Sequence, residues 1–292
     1  MPQHTPRGIR WSVVLAGVLL FAPGVGCQTI QGEAKGNADT PAVGAKPVSS
    51  TENTAVNYAG TFTFAGDPKT AGYPNPVTRL ANLAFLVAYD EQRENPAWAA
   101  YKIPGERKYG PLPRPSRFST DNRTKARVTH DNYTRTGYDR GHMVPNLAIA
   151  SRFGVEAQAE TFLMSNIAPQ KPALNQGPWR LLEETIAETT ARVCTEIWVI
   201  VGPIYEGPGG KLRNGTAIPK AFFMVIADET AQGPRLQAFI MPQTTTRGAN
   251  FRNYRTTVHD VQAKTGLDFF WDLPDPLENK LEAEMADYWL EN

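Results

Sequence analysis

Three short stretches hold the side chains that could do chemistry. The first reads Tyr138-Asp139-Arg140-Gly141-His142-Met143-Val144-Pro145. An imidazole of near-neutral pKa can take a proton from water, so His142 is a candidate general base. Activity resting on it is expected to fall as pH drops through that pKa. The second stretch follows at Phe162-Leu163-Met164-Ser165-Asn166-Ile167-Ala168-Pro169-Gln170. The third is Leu174-Asn175-Gln176-Gly177-Pro178-Trp179, with Glu183 one helical turn beyond the tryptophan. The surroundings are basic. Between Lys102 and Arg152 stand eleven Lys and Arg against four Asp and Glu, a balance of +7 that suits a groove facing a polyanion.

In this order the three stretches resemble the DNA/RNA non-specific endonucleases, the ββα-metal or His-Me finger nucleases with an Asp-Arg-Gly-His motif. The resemblance extends more weakly to Ser116-Arg117-Phe118, Gly202-Pro203-Ile204-Tyr205, Ile218-Pro219-Lys220-Ala221-Phe222 and Thr265-Gly266-Leu267-Asp268-Phe269-Phe270. It implies an α+β fold with a central, mainly antiparallel sheet flanked by helices, and hydrolysis of DNA and RNA phosphodiesters. It gives His142 the role of base and makes Asn175 the one direct protein ligand of Mg²⁺, with Mn²⁺ as a substitute. Such an ion commonly keeps several waters and takes further ligands from substrate phosphate. Glu183, by the same resemblance, anchors water on the ion. Arg117 and Arg140 can fork onto phosphate oxygens, Asp139 orients the motif loop, and Asn166 holds the histidine and metal elements in register. One position departs from the family: many members carry arginine one turn after the glutamate, where Ala187 stands, and Arg180 lies on another helical face. The competing function is a non-catalytic nucleic-acid-binding lipoprotein on the same scaffold, which would have no need of a base beside a metal.

Other constellations are weak. His130 and His259 lack metal-ligand spacing, Asp90-Glu91 reads as a turn at a strand end, and no phosphate-binding or dinucleotide-binding glycine pattern occurs. Two cysteines exclude a disulfide framework and a cysteine-rich zinc site. A formal charge of +1 excludes a uniformly basic coat, and 41% hydrophobic residues exclude a wholly disordered chain.

The elements that must position these residues follow from pattern. Residues 1–27 join Arg7 and Arg10 to a twelve-residue, mostly apolar run and end Gly26-Cys27. This is the layout of an export signal with a lipobox-like end, so export and lipidation at Cys27 are expected, giving an envelope-anchored or secreted protein. Cys194 is then a core residue; a Cys27–Cys194 disulfide is the rival arrangement. Residues 28–57, poor in large apolar side chains, read as a disordered tether. A single nuclease domain is expected over 58–292. Strand-like runs lie at 83–89, 197–204, 221–227 and 236–241, and helical patterns at 155–163, 179–193 and 254–265, the last stopping at Gly266. From Asp272 onward seven acids face one lysine, a solvated acidic end.

Overall fold

A computed structural model of the chain describes residues 61–290 apart from Pro208. The expected signal, Cys27 and the tether lie outside the described residues. Seven antiparallel strands form the main sheet in the order β1 (Thr78–Ala81), β2 (Phe85–Asp90), β3 (Asn95–Pro104), β6 (Glu196–Ile204), β7 (Ala221–Thr230), β8 (Gly233–Pro242) and β9 (Arg255–Thr256). The central strands are buried on both faces, which is why they read as continuous apolar runs rather than alternating ones. Strand β6 shows the period of two directly. Ile197, Val199 and Val201 point into one core, with Met143, Ile149, Trp179, Leu182 and Ile186. Trp198 and Ile200 point into the other, with Val258, Val261, Phe269 and Phe270.

Helices cover both faces. The first core is roofed by α1 (Asn146–Phe153), α2 (Val155–Glu160) and a helical run from Pro172 to Val193. The second packs against α6 (Val258–Thr265) and the partly buried Leu277 and Leu281 of α7 (Asp275–Ala283). Helix α6 is capped by Thr257, which accepts from Asp260 N, and is stopped by Gly266 at φ +72. The fold is thus α+β with an antiparallel sheet flanked by helices, as expected.

Some element bounds differ from the sequence reading. Strand β3 went unread because Ala97, Ala99 and Ala100 are weak strand formers, and sheet partners on both sides bury them. Helix α6 begins at Val258, after a short helical turn at Phe251–Tyr254 and strand β9, rather than at residue 254.

The segment between β3 and β6 carries the first two chemical stretches and the helical run. It enters and leaves the sheet at neighbouring positions, since Pro104 pairs with Glu196 and Gly105 N donates to Thr195 O. Within it, β4 (Asp139–His142) and β5 (Ile167–Gln170) make a separate two-stranded antiparallel sheet. Asp139 lies opposite Gln170 and His142 opposite Ile167. Next come α3 (Pro172–Leu174), a wide turn over Asn175–Trp179, α4 (Arg180–Glu184), a second wide segment over Thr185–Thr190, and α5 (Ala191–Val193). Two strands followed by a helix are the ββα arrangement.

Candidate active site

His142 ends strand β4. Gly141 before it has no room for a side chain, because a Cβ there would collide with Gln170 on β5. Asn166 clamps the residues that follow. Its Oδ1 accepts from Val144 N at 2.9 Å, and its Nδ2 donates to Val144 O and Thr161 O, each at 3.0 Å. A fully buried amide with three such bonds holds the histidine strand against the β5 turn.

The His142 ring sits between Phe118, 5.2 Å away, and the edge of Phe162, 5.1 Å away. Its Nε2 is buried and has no hydrogen-bond partner. Burial, with the Arg114 charge adding to it, pushes the imidazole pKa down to about 3. The ring is therefore neutral far below the near-neutral range expected from sequence. The free, metal-free protein tests this: His142 ring resonances should show no NMR titration between pH 5 and 8. A midpoint near 6.5 would mean a solvated ring.

The third stretch places the other donors. Gly177 departs from helical geometry, with φ −113 and ψ −119, and a Cβ there would lie 2.7 Å from Arg247 O. Only glycine lets the helical run kink this tightly against the 243–247 loop. The kink sets Asn175 and Gln176 over Asp139, whose Oδ2 accepts from Asn175 Nδ2 at 2.9 Å and Gln176 Nε2 at 2.8 Å. With its amide N–H fixed there, Asn175 keeps Oδ1 free of protein partners among the described residues. Past the kink, Glu183 has a buried, unpartnered Oε1. Desolvation raises its pKa to about 8; the neighbouring Trp179 indole N–H opposes the rise, Glu184 adds to it, and the Arg114 and Arg180 charges oppose it.

One cleft of about 430 Å³ is lined by His142, Asp139, Arg140, Asn175 and Glu183 together. Arg117 does not line it; its guanidinium pairs with Asp131 at 2.6 Å on the surface. Arg140 does, but its Nε and Nη2 donate to His130 O at 3.0 and 2.6 Å, bracing the preceding turn. Arg180 also lines the cleft, paired with Glu184 at 2.6 Å, although its helical face had set it apart. Ala187 is buried, and its carbonyl accepts from the buried Arg152 at 2.5 Å.

The sequence reading missed Arg114. It lines the cleft, lies 5.2 Å over the Phe162 ring, and has no hydrogen bond or ion pair among the described residues. Its Pro-rich neighbourhood has no periodicity to mark it; only the fold brings it to His142. Cys194 is a buried core residue, as expected, with Arg235 Nη2 3.8 Å from its sulfur.

The donor set suits a hard divalent cation. Asn175 offers an amide oxygen and Glu183 a carboxylate oxygen, and no cluster of three His, Cys, Asp or Glu suited to a metal exists among the described residues. One direct oxygen donor, Asn175, with Glu183 to hold water on the ion, leaves most of a coordination shell to water and substrate, as Mg²⁺ accepts.

Comparison with known proteins bears on the family and the fold. The profile of the family described as DNA/RNA non-specific endonuclease matches residues 66–276. The nuclease of Serratia marcescens is 34% identical over 151 residues, spanning 50% of this chain and 56% of its own length. Human mitochondrial endonuclease G is 28% identical over 214 residues, 68% of this chain and 71% of that protein. The solved EndoG/EndoGI complex shares the fold, with a TM-score of 0.62 at 23% identity, over 70% of this chain and 90% of that one.

Proposed function

The chain belongs to the DNA/RNA non-specific endonuclease family, and on that premise we propose that it hydrolyses phosphodiester bonds of DNA and RNA, with His142 as general base and a divalent cation, Mg²⁺ or Mn²⁺, at Asn175 and Glu183. The observation that carries this reading is the meeting in one cleft of three residues: His142, whose Nε2 has no hydrogen-bond partner, Glu183, whose Oε1 has none, and Asn175, whose amide N–H is held by Asp139.

When bound, the cation supplies positive charge facing the scissile phosphate. The chain's own residues do the rest. His142 Nε2 accepts the proton of the attacking water. Burial beside Arg114 suppresses its basicity; a substrate phosphate brings negative charge, which raises proton affinity where the proton must arrive. Asp139 holds the Asn175 amide in the orientation that leaves its oxygen for the cation. Arg114, unpaired and braced on Phe162, supplies the guanidinium that forks onto phosphate oxygens, with Arg140 and Arg180 beside it. Contacts to phosphate carry no base identity, which accounts for a lack of sequence preference.

Plasmid incubated with the purified protein should be degraded in Mg²⁺ and spared in EDTA. An intact plasmid in excess Mg²⁺ and in excess Mn²⁺ would favour the non-catalytic binder instead. Arg114→Ala should slow cleavage of all sequences alike, by about tenfold or more, the scale of a lost charge-assisted hydrogen bond. Arg117→Ala should change the rate by less than about threefold, because an exposed ion pair is worth little. The reverse ranking in rates on one plasmid would return the phosphate-binding role to Arg117.

Export and lipidation belong to the same proposal, supported by the basic-then-apolar N-terminus and Gly26-Cys27. Cys27→Ser should move the protein from the membrane fraction to the soluble fraction. An unchanged distribution would remove the lipid anchor.

A further inference from the structure

A second cavity, of about 770 Å³, lies beside the catalytic cleft. It is framed by Tyr138, which precedes Asp139, by the 218–220 segment and by the 243–247 loop. Three exposed cations line it, Lys171, Lys220 and Arg247, and no carboxylate does. None of the three has an acidic partner among the described residues. The walls are otherwise apolar or neutral, with Ile218 and Pro219 on one side and the Tyr138 ring, under Lys171 Nζ at 4.2 Å, on another. Thr245, only 5% exposed, is among the residues lining the cavity, and its buried hydroxyl has no hydrogen-bond partner. A buried hydroxyl without a partner is costly unless a ligand satisfies it.

A hydrogen-bond chain links the cavity to the chemistry. Arg247 Nη2 donates to Gln176 Oε1 at 2.9 Å, and Gln176 Nε2 donates to the same Asp139 oxygen that fixes Asn175.

We infer that this cavity is a subsite for one unpaired nucleotide of the cleaved strand, its base between Ile218, Tyr138 and the Thr245 hydroxyl and its phosphate on Lys171, Lys220 and Arg247. The inference rests on the nuclease reading above and adds to it a preference for substrate unpaired beside the cut. Charge decides the occupant: an all-cationic rim without acids suits a phosphodiester, and apolar walls with one hydroxyl suit the face and edge of a base. A base can enter such a cavity only out of its stack, so duplex must first unpair there, at a cost of a few kcal/mol.

The test is fluorescence anisotropy in EDTA with a labelled 12-nucleotide single strand and the matching duplex. Wild type should bind the single strand more tightly. Lys171→Ala combined with Lys220→Ala should weaken single-strand binding about tenfold and flatten its salt dependence by up to about 0.7 in log–log slope, as the loss of one neutralised phosphate requires. Lys280→Ala, which removes a charge on the remote helix α7, should leave both affinities unchanged. Thr245→Val keeps the shape and removes the hydroxyl. It should alter nucleotide frequencies at one fixed position beside the cut when products made in Mg²⁺ are sequenced. Wild-type single-strand affinity in the double variant overturns the inference, as does an equal loss on duplex, and a peptide or protein occupant would give the first of these. A wild-type protein that neither binds nor cuts nucleic acid would instead defeat the nuclease reading itself.

Discussion

Replacing His142 by alanine is expected to lower turnover by about 10²–10⁴-fold, the range of a lost general base. Binding of uncleaved nucleic acid in EDTA should change by less than about threefold, because the ring makes no phosphate contact. The ring fills a slot between Phe118 and Phe162, so the variant should also lose thermal stability as any emptied aromatic site does. That slot gives a way to separate chemistry from folding. Free imidazole fits the space the side chain leaves, and its neutral form can accept the proton instead. Added imidazole should restore part of the rate to His142→Ala, and restore more as pH rises through the pKa of free imidazole. Retention of more than a tenth of the wild-type rate without imidazole would remove His142 from the base role.

Asn175→Ala should be nearly as damaging, by another route. It deletes the one amide oxygen offered to the cation and also strips Asp139 of one of its two donors. Raising Mg²⁺ should recover little. Glu183→Ala should cost about 10–100-fold, as loss of a group that orients water on a metal does, and excess Mg²⁺ should recover part of it. Asn175→Asp is the sharper variant because of Asp139. The new carboxylate stands where an amide N–H met Asp139 Oδ2 at 2.9 Å, so two like charges are forced together in the metal-free protein. Its melting temperature should fall below wild type without metal and recover when Mg²⁺ is added. Its cleavage should stay slower than wild type, since a charged ligand weakens the cation's pull on phosphate. Mg²⁺ titrations of rate and of melting temperature for the three variants check this. Wild-type rate and metal dependence in Asn175→Ala would move the cation elsewhere.

Residues in short, ordered motifs were legible from sequence because their spacing is local. Strand β4 and the kinked helical run after β5 bring His142, Asn175 and Glu183 into one cleft, with Asn166 bracing Val144 from the turn before β5. Arg114 was not legible. An arginine in a proline-rich loop carries no period, and its place over Phe162 is made by a contact between distant segments. Arg117 drew attention through its neighbours, yet Asp131 takes its charge at the surface. The basic balance of the region marked the face, but not which of its cations lines the cleft. The depressed His142 pKa also escaped sequence, because it comes from two rings and Arg114 closing around the imidazole. Among the strands, those rich in Val, Ile and Phe announced themselves; alanine-rich β3 did not, since its burial comes from its neighbours rather than its own side chains.

The adjacency of Pro104 and Glu196 has a kinetic side. Strands β7 and β8 meet across a two-residue turn, Thr230 pairing with Gly233, whereas β3 and β6 must find each other across residues 105–195. Closing a loop of that length as free chain costs roughly 3 kcal/mol more entropy than closing the turn. The excursion does not stay free chain: β4 pairs with β5, and Asn166 ties Val144 to Thr161 within it. Each contact formed early shortens the path between the two strands and lowers the barrier to joining the halves of the sheet. Asn166→Ala should slow refolding in a denaturant-jump experiment more than it hastens unfolding, so changes that loosen the site should also delay assembly of the whole sheet.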